Sequence, residues 1–338
     1  LAKHADKLCL MNGMHTDLPS HQHSFVKMHT GNSQFVRPSL GAWTLYGLGT
    51  ESENLPGFIV LNPSSGNGGA QNYGSAFLPA IYQATPISGS SGQISNIANR
   101  RMSRERQRMQ LDLIQGLNQG RLKQKQVDPN LESVIDSFEL AFKMQTEVPQ
   151  LMNVYKESSS VRRAYGIGSR STDSFGKQCL LARRMAEAGV RFIELNSGGW
   201  DHHRGLKSGM ERNCRAIDKP IAALLADLEK RDMLKDTLVM WGGEFGRTPH
   251  GESDDGRDHN NRGYTMWMAG GGVKGGMRYG QTDEYGFAAI DGRMHIHDWH
   301  ATVLHLLGLN HKKLTFNYSG RDFRLTDVHG NVAKEILA

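Results

Sequence analysis

The sequence predicts an α/β fold in which a mainly parallel central sheet is flanked by helices. Short apolar runs recur at 57–61 (GFIVL), 190–195 (VRFIEL), 237–241 (TLVMW) and 264–269 (YTMWMA), and near-continuous apolar runs of this length suit strands buried on both faces. A helical stretch at 173–188 stops at Gly189 and runs straight into 190–195. That helix, glycine, strand rhythm marks a βαβ unit.

Taken in order, residues 7–11 (KLCLM) make a short strand, followed at 12–23 by a polar loop holding His15, Thr16, Asp17, Ser20 and His21. The run 37–49 suits a helix entered through Pro38 and left through glycine. After strand 57–61, the Gly, Ser, Asn and Pro content of 62–95 predicts a long excursion with little regular structure, of the kind that shapes a binding surface. Helical patterns at 101–117 and 130–144 join that loop in an insertion at about 62–160. Helix 215–231, strands 237–241 and 264–269 and helix 299–307 complete the chain. No internal repeat is visible, and the 338 residues read as one domain, 1–338. The opening residues read as the interior of a domain, so a processed or truncated N-terminus is expected.

Thirty-nine glycines against ten prolines, with 22% charged residues, describe a globular chain with many tight turns. No run reaches the eighteen or so apolar residues of a membrane span. The net charge of +6 gathers largely at 100–125, which reads as a solvated basic helix face, and no zinc knuckle, RNP-type run or helix-turn-helix spacing supports a nucleic-acid partner. Cys9, Cys179 and Cys214 form no CxxC pair and are odd in number, which argues against a disulfide framework and a thiolate zinc site.

Chemistry concentrates where polar clusters follow apolar strands or open a helix, the places where open α/β sheets put ligand sites. VRFIEL runs into NSGGWDHHRG with Asp201, His202 and His203; TLVMW runs into GGEFGRTP with Glu244 and Arg247. GRDHN then brings Asp258 and His259, and HIHDWH brings His295, His297, Asp298 and His300. Carboxylate with imidazole suits a borderline or hard divalent ion. Each pair taken singly also reads as a solvated turn or a helix cap, Asp298 above all. In HIHDWH, strand-like alternation predicts His295 and His297 on one face.

The runs GGWDHH, LVMWGGEFGRTP, GRDHN, YTMWMAGGGVKGG, YGQTDEYGF, HIHDWHATVLHLLGL and YSGRDFRLTDVHGNVAKEILA resemble, over nearly the whole chain, the bacterial domain of unknown function 1501 family. That family is sulfatase-like and similar to the alkaline phosphatase and sulfatase superfamily. The resemblance implies an alkaline phosphatase-like sheet holding two divalent ions, with zinc, calcium, magnesium and manganese as candidates. It makes Asp201 and His203 ligands of one metal, with His202 as a substitute, and Glu244 a ligand of the other. Phe245 stands where a histidine is expected, and Asp258 and His259 are candidates to replace the missing pair. His297 matches the late histidine before the final helix, and Arg247 would clamp the equatorial oxygens of an ester.

MHTDLPSHQHSFVKMHTG resembles the nucleophile segment, with Thr16 the first candidate and Ser20 the second; both also read as helix caps. The CxPxR signature needed for formylglycine is absent. So is the superfamily's opening strand with its Gly-rich turn and aspartate, which implies a fold lacking its first strand. The function implied is metal-dependent hydrolysis of phosphate or sulfate esters of small molecules or polysaccharides, in a periplasmic or secreted protein. The alternative is a non-catalytic anion- or glycan-binding protein with a degenerate metal site.

Overall fold

Gly13 lets the first strand run past its apolar core. A Cβ there would lie 2.6 Å from the Gly292 carbonyl oxygen, so only glycine lets the chain pass that close, and β1 spans Leu8–His15. In the computed structural model, which describes residues 1–88, 97, 101–125 and 129–338 and side chains outside 121–133, the chain is a mixed α/β protein. The end of the predicted 62–95 excursion, from 89, and Arg100 lie outside the described residues.

After β1 come α1 (His21–Thr30), α2 (Leu40–Leu48), β2 (Phe58–Leu61) and β3 (Thr85–Ile87). Helix α2 is capped by Ser39, whose hydroxyl accepts the Ala42 N–H, and Pro38 lies outside it. The excursion thus contains a strand, which pairs parallel with β2. The two helices α3 (Arg104–Lys125) and α4 (Pro129–Met152) outrun their predicted ends. On the basic face, Arg108 pairs with Asp112 and with Glu139 of α4.

The chain continues through α5 (Ser159–Ala164), α6 (Asp173–Glu187), β4 (Phe192–Leu195), α7 (Leu206–Lys230), β5 (Val239–Trp241), β6 (Gly246–Arg247), β7 (His259–Asn260) and β8 (Tyr264–Ala269). Strands β9 (Met277–Tyr279), β10 (Gln281–Thr282), β11 (Ala289–Asp291) and β12 (Met294–His295), helix α8 (Ile296–Leu306) and the hairpin β13 (Phe316–Tyr318) and β14 (Arg321–Phe323) complete it. Helix α7 starts at Leu206 rather than 215. Helix α8 starts at Ile296 rather than 299, and so takes in His297 and His300.

The sheet is not the single, mainly parallel one expected. One sheet is all parallel, in the order β3, β2, β4. The largest is mixed, in the order β12, β1, β8, β5 with β9 also on β1, and its β8 runs antiparallel to both β1 and β5; β6 with β7, β10 with β11 and β13 with β14 form small two-stranded sheets. Strand β8 follows β5 with no crossover helix between them, and a direct return reverses direction where a crossover would keep it. Both larger sheets are covered by helices. Trp43, Met266, Met294 and Trp299 centre one core, and Ile59, Leu180, Met185 and Leu228 centre another. Within the latter, the buried Arg183 guanidinium is neutralised by Glu157, Glu187 and Asp227.

Candidate metal centre

Strands β4 and β5 end on one side of the molecule, and their following turns bring Asp201 and Glu244 together. Loop 248–258 is tied to the turn after β4: the Arg257 N–H donates to the His202 carbonyl at 2.9 Å. A Cβ on Gly256 would lie 1.8 Å from the His203 carbonyl oxygen, so glycine is required for that approach. Strands β6 and β7 pair Arg247 with His259. The segment after β1 is pinned to the same place, since Thr16 and Asn261 exchange hydrogen bonds of 2.9 Å through backbone and side chain.

These ties aim imidazoles at one carboxylate. Asp201 Oδ1 lies 3.0 Å from His203 Nε2 and 3.2 Å from His259 Nε2, while Oδ2 lies 3.2 Å from His21 Nε2. The Nε2 atoms of His203 and His259 are 3.1 Å apart. Each ring has an acceptor on its other nitrogen: His21 Nδ1 is 2.6 Å from Glu244 Oε1, His203 Nδ1 2.5 Å from Glu252 Oε2, and His259 Nδ1 2.8 Å from the Pro19 carbonyl. In neutral rings those acceptors fix the proton on Nδ1 and leave every Nε2 as a lone pair. Three imidazole Nε2 atoms thus converge on one carboxylate, and the buried His21 Nε2 has no hydrogen-bond partner. That is the outer-shell pattern of a metal-binding histidine. Ligand atoms of His21, Asp201 and His259 lie within 4.8 Å of one another, as do those of His203, Glu252 and Asp258.

Arg247 completes the electrostatics, with Nη1 2.6 Å from Asp201 Oδ1. Burial alone would raise the Asp201 pKa, but Arg247, the His259 hydrogen bond and the charge of His21 hold it down to about 2. The hydrogen bond to Glu252 raises the His203 pKa. Phe245, at the position where a histidine was expected, is buried and packs its ring 5.0 Å from His21 and 4.6 Å from His259. It forms an apolar wall against both rings.

The sequence-predicted residues therefore divide. Asp201, His203, Asp258 and His259 are brought together as potential ligands, with Arg247 on Asp201 and Glu244 behind His21. His202 is buried against Gly209 at the start of α7, and neither of its ring nitrogens has a partner. Thr16 is buried, and its backbone holds Asn261. Ser20, which immediately precedes His21, has its hydroxyl 3.1 Å from His23 Nδ1.

His297 lies elsewhere. His295 is the N-cap of α8 in a reciprocal capping box with Asp298, so helical rather than strand geometry places His297, contrary to the expected alternation. Its buried ring is centred 5.0 Å from His295 and 5.1 Å from His329. His21 and Glu252 are the ligand-class residues that sequence reasoning passed over. The SHQH run, one polar turn beyond a strand, was the available signal for His21; Glu252 sits in a loop whose position depends on Gly256.

The cluster opens into a cavity of about 1570 Å³. Asn62, Ser64 and Asn67 of the excursion after β2 line it along with His21, Glu244 and Arg247, as expected of a loop that shapes a binding surface. Glu244→Gln should keep the shape but weaken the outer-shell bond to His21, lowering transition-metal affinity about 10- to 100-fold; a competition titration against a chromogenic chelator reads this directly.

No curated protein matches the sequence. The model of a family described as protein of unknown function, DUF1501, matches residues 1–337, and the chain belongs to that family.

Proposed function

We propose that the chain is a metal-dependent hydrolase of phosphate or sulfate esters. The observation that carries this reading is the convergence of the His21, His203 and His259 Nε2 atoms on Asp201, beside a cavity that His21, Asp201 and Arg247 line. The donor set fits a divalent ion. Imidazole with carboxylate favours a transition-metal ion such as Zn²⁺ over the all-oxygen shells preferred by Mg²⁺ and Ca²⁺. Such an ion would polarise the ester oxygens and neutralise charge that develops on them.

The protein's own groups have distinct tasks in this reading. His21, Asp201 and His259 would hold the ion, with His203 and Asp258 available to it or to a second one; Glu244 and Glu252 would fix the ring tautomers. Arg247, released from Asp201 once the carboxylate has a metal partner, would bind the non-bridging oxygens of the ester through its planar fork. Ser20 is better presented as nucleophile than the buried Thr16, with His23 3.1 Å away to accept its proton. The Asn- and Ser-rich rim of the cavity suits a hydroxyl-bearing leaving group, a small alcohol or a saccharide.

Metal content by mass spectrometry after dialysis, followed by assays on aryl phosphates and aryl sulfates, tests the reading. At least one equivalent of transition metal with ester turnover lost in Ser20→Ala is expected. Metal without turnover on either ester class would replace the reading with anion binding, and the absence of metal would remove it.

A further inference from the structure

Helix α1 turns one face to the cavity, with His21, Phe25 and His29 spaced at i, i+4 and i+8 along it. His21 belongs to the cluster around Asp201. Phe25 and His29 do not, and they follow it at about 6 and 12 Å along the helix axis. The Phe25 and His29 rings run nearly parallel, 10° apart, with centroids separated by 6.2 Å. Among the described residues, Phe25 belongs to none of the apolar cores; it is half-buried and lines the cavity. An aromatic ring stabilises a fold by burying its apolar area, and this one keeps part of that area against open space.

His29 is tied to strand β4. Its Nδ1 lies 2.7 Å from the Phe25 carbonyl oxygen and its Nε2 3.3 Å from Glu194 Oε1. Burial would discharge this ring, but the Glu194 carboxylate raises its pKa, so His29 donates from both nitrogens and the pair has no net charge. Asn196, just after β4, donates from Nδ2 to the same Oε1 at 3.0 Å, and Asn62, just after β2, donates from Nδ2 to the Asn196 carbonyl at 3.3 Å. Because β2 and β4 pair in parallel, with Leu61 opposite Leu195, the two asparagines leave the sheet side by side. All four residues line the cavity with Phe25.

The atoms this network leaves over define a ligand. Glu194 Oε2 and the side-chain oxygens of Asn62 and Asn196 take none of these bonds, and each amide keeps a second N–H. The set is rich in acceptors, carries no net charge and stands beside an apolar ring. Glu194 repels an anion, and a cation finds that carboxylate already neutralised by His29. An uncharged pyranose matches both features: its C–H face packs on an aromatic ring, while its hydroxyls donate to carboxylate and amide oxygens and accept from amide N–H groups.

We propose that Phe25, His29, Asn62, Glu194 and Asn196 form a subsite for an uncharged sugar ring, packed on Phe25 with vicinal hydroxyls on Glu194 Oε2 and the asparagine amides. Sugar binding here requires no metal. Its place in a reaction rests on the hydrolase reading above: the ester lies at Arg247 and the cluster around Asp201, the subsite holds the neighbouring sugar, and the substrates are esters of saccharides rather than of simple alcohols.

The full chain in chelator, titrated with methyl glucoside, methyl galactoside and methyl mannoside and followed by ligand-observed NMR, tests the subsite. Each probe carries a vicinal pair of equatorial hydroxyls, and at least one should bind with a millimolar Kd. Phe25→Ala and Glu194→Gln should each weaken that binding by at least ~10-fold, whereas Phe25→Trp, which keeps the aromatic face, should retain it. Chemical denaturation establishes that each variant is folded; if Glu194→Gln is not, the two Phe25 variants decide. Failure of all three probes to bind the parent, or equal binding by Phe25→Ala, would overturn the proposal. Sugar binding by a protein that retains no metal and turns over no ester would uphold the subsite and remove only the hydrolase reading. Metal and aryl-ester turnover without sugar binding would do the reverse.

Discussion

Asp201→Ala should lower zinc affinity by about 1000-fold, one or more decades beyond the 10- to 100-fold cost of an outer-shell partner. Asp201 is the common neighbour of the His21, His203 and His259 Nε2 atoms and of the Arg247 guanidinium. Its removal takes away the anionic ligand and leaves Arg247 facing imidazoles, so the same change deletes an attraction and exposes a repulsion. A thousandfold change corresponds to about 4 kcal/mol of binding free energy. Asp201→Asn, of the same shape but uncharged, should fall between the variant and the parent. Metal content after dialysis and a competition titration measure the series, and circular dichroism confirms the fold. Metal retention in Asp201→Ala equal to that of the parent would show that this carboxylate is not the hub of the site.

Acid should destabilise the protein steeply between about pH 6.5 and 4, through a second group of histidines separate from the cluster around Asp201. Burial, together with the charges of their neighbours, lowers the pKa of His15 and His295 to about 4, of His300 to about 3 and of His297 to about 2. These rings lie among Lys27 and His29 of α1, Asp17 after β1, Asp298 of α8 and His329 near the C-terminus. Each must stay neutral in the folded state yet would protonate near 6.5 when unfolded.

The sign follows: a depressed histidine contributes stability that is fully present above the unfolded pKa and is lost as pH falls toward the folded one. At about 1.4 kcal/mol per pKa unit, with the rings coupled to one another, the expected loss is on the order of 5 kcal/mol. That is comparable with the whole stability of an ordinary domain. His29 opposes the trend: burial would lower its pKa, but Glu194 raises it, so its contribution is lost as pH rises instead. Chemical denaturation from pH 7.5 to 4.5 measures the slope, and His297→Leu should flatten it. A stability independent of pH over that window would contradict the buried, neutral state of these rings.

Much of the fold was legible in local pattern. GFIVL, VRFIEL, TLVMW and YTMWMA all became strands, and the helix read at 173–188 spans Asp173–Glu187 and closes in a turn through Gly189, because apolar period and glycine punctuation act over a few residues. Direction and pairing were not legible in the same way. Whether β8 lies parallel or antiparallel to β5 depends on how the loop between them returns, and the sequence alone suggested a more parallel sheet than forms. Helix starts slipped where capping overrode the apolar pattern, at Ser39 for α2 and at His295 for α8.

The candidate site divides along the same line. Residue types and their places after strands determined Asp201, His203, Glu244, Arg247, Asp258 and His259 as a constellation, since a carboxylate or imidazole at a sheet end is visible as a local feature. Only the tertiary structure decided that His21 and Glu252 join them, that His297 belongs to a different buried cluster, and that Phe245 serves as a wall. The physical reason is that ligand geometry depends on contacts between segments far apart in the chain. Those contacts, Asn261 on Thr16, Gly256 on His203 and Pro19 on His259, are set by backbone packing that no single stretch of sequence encodes.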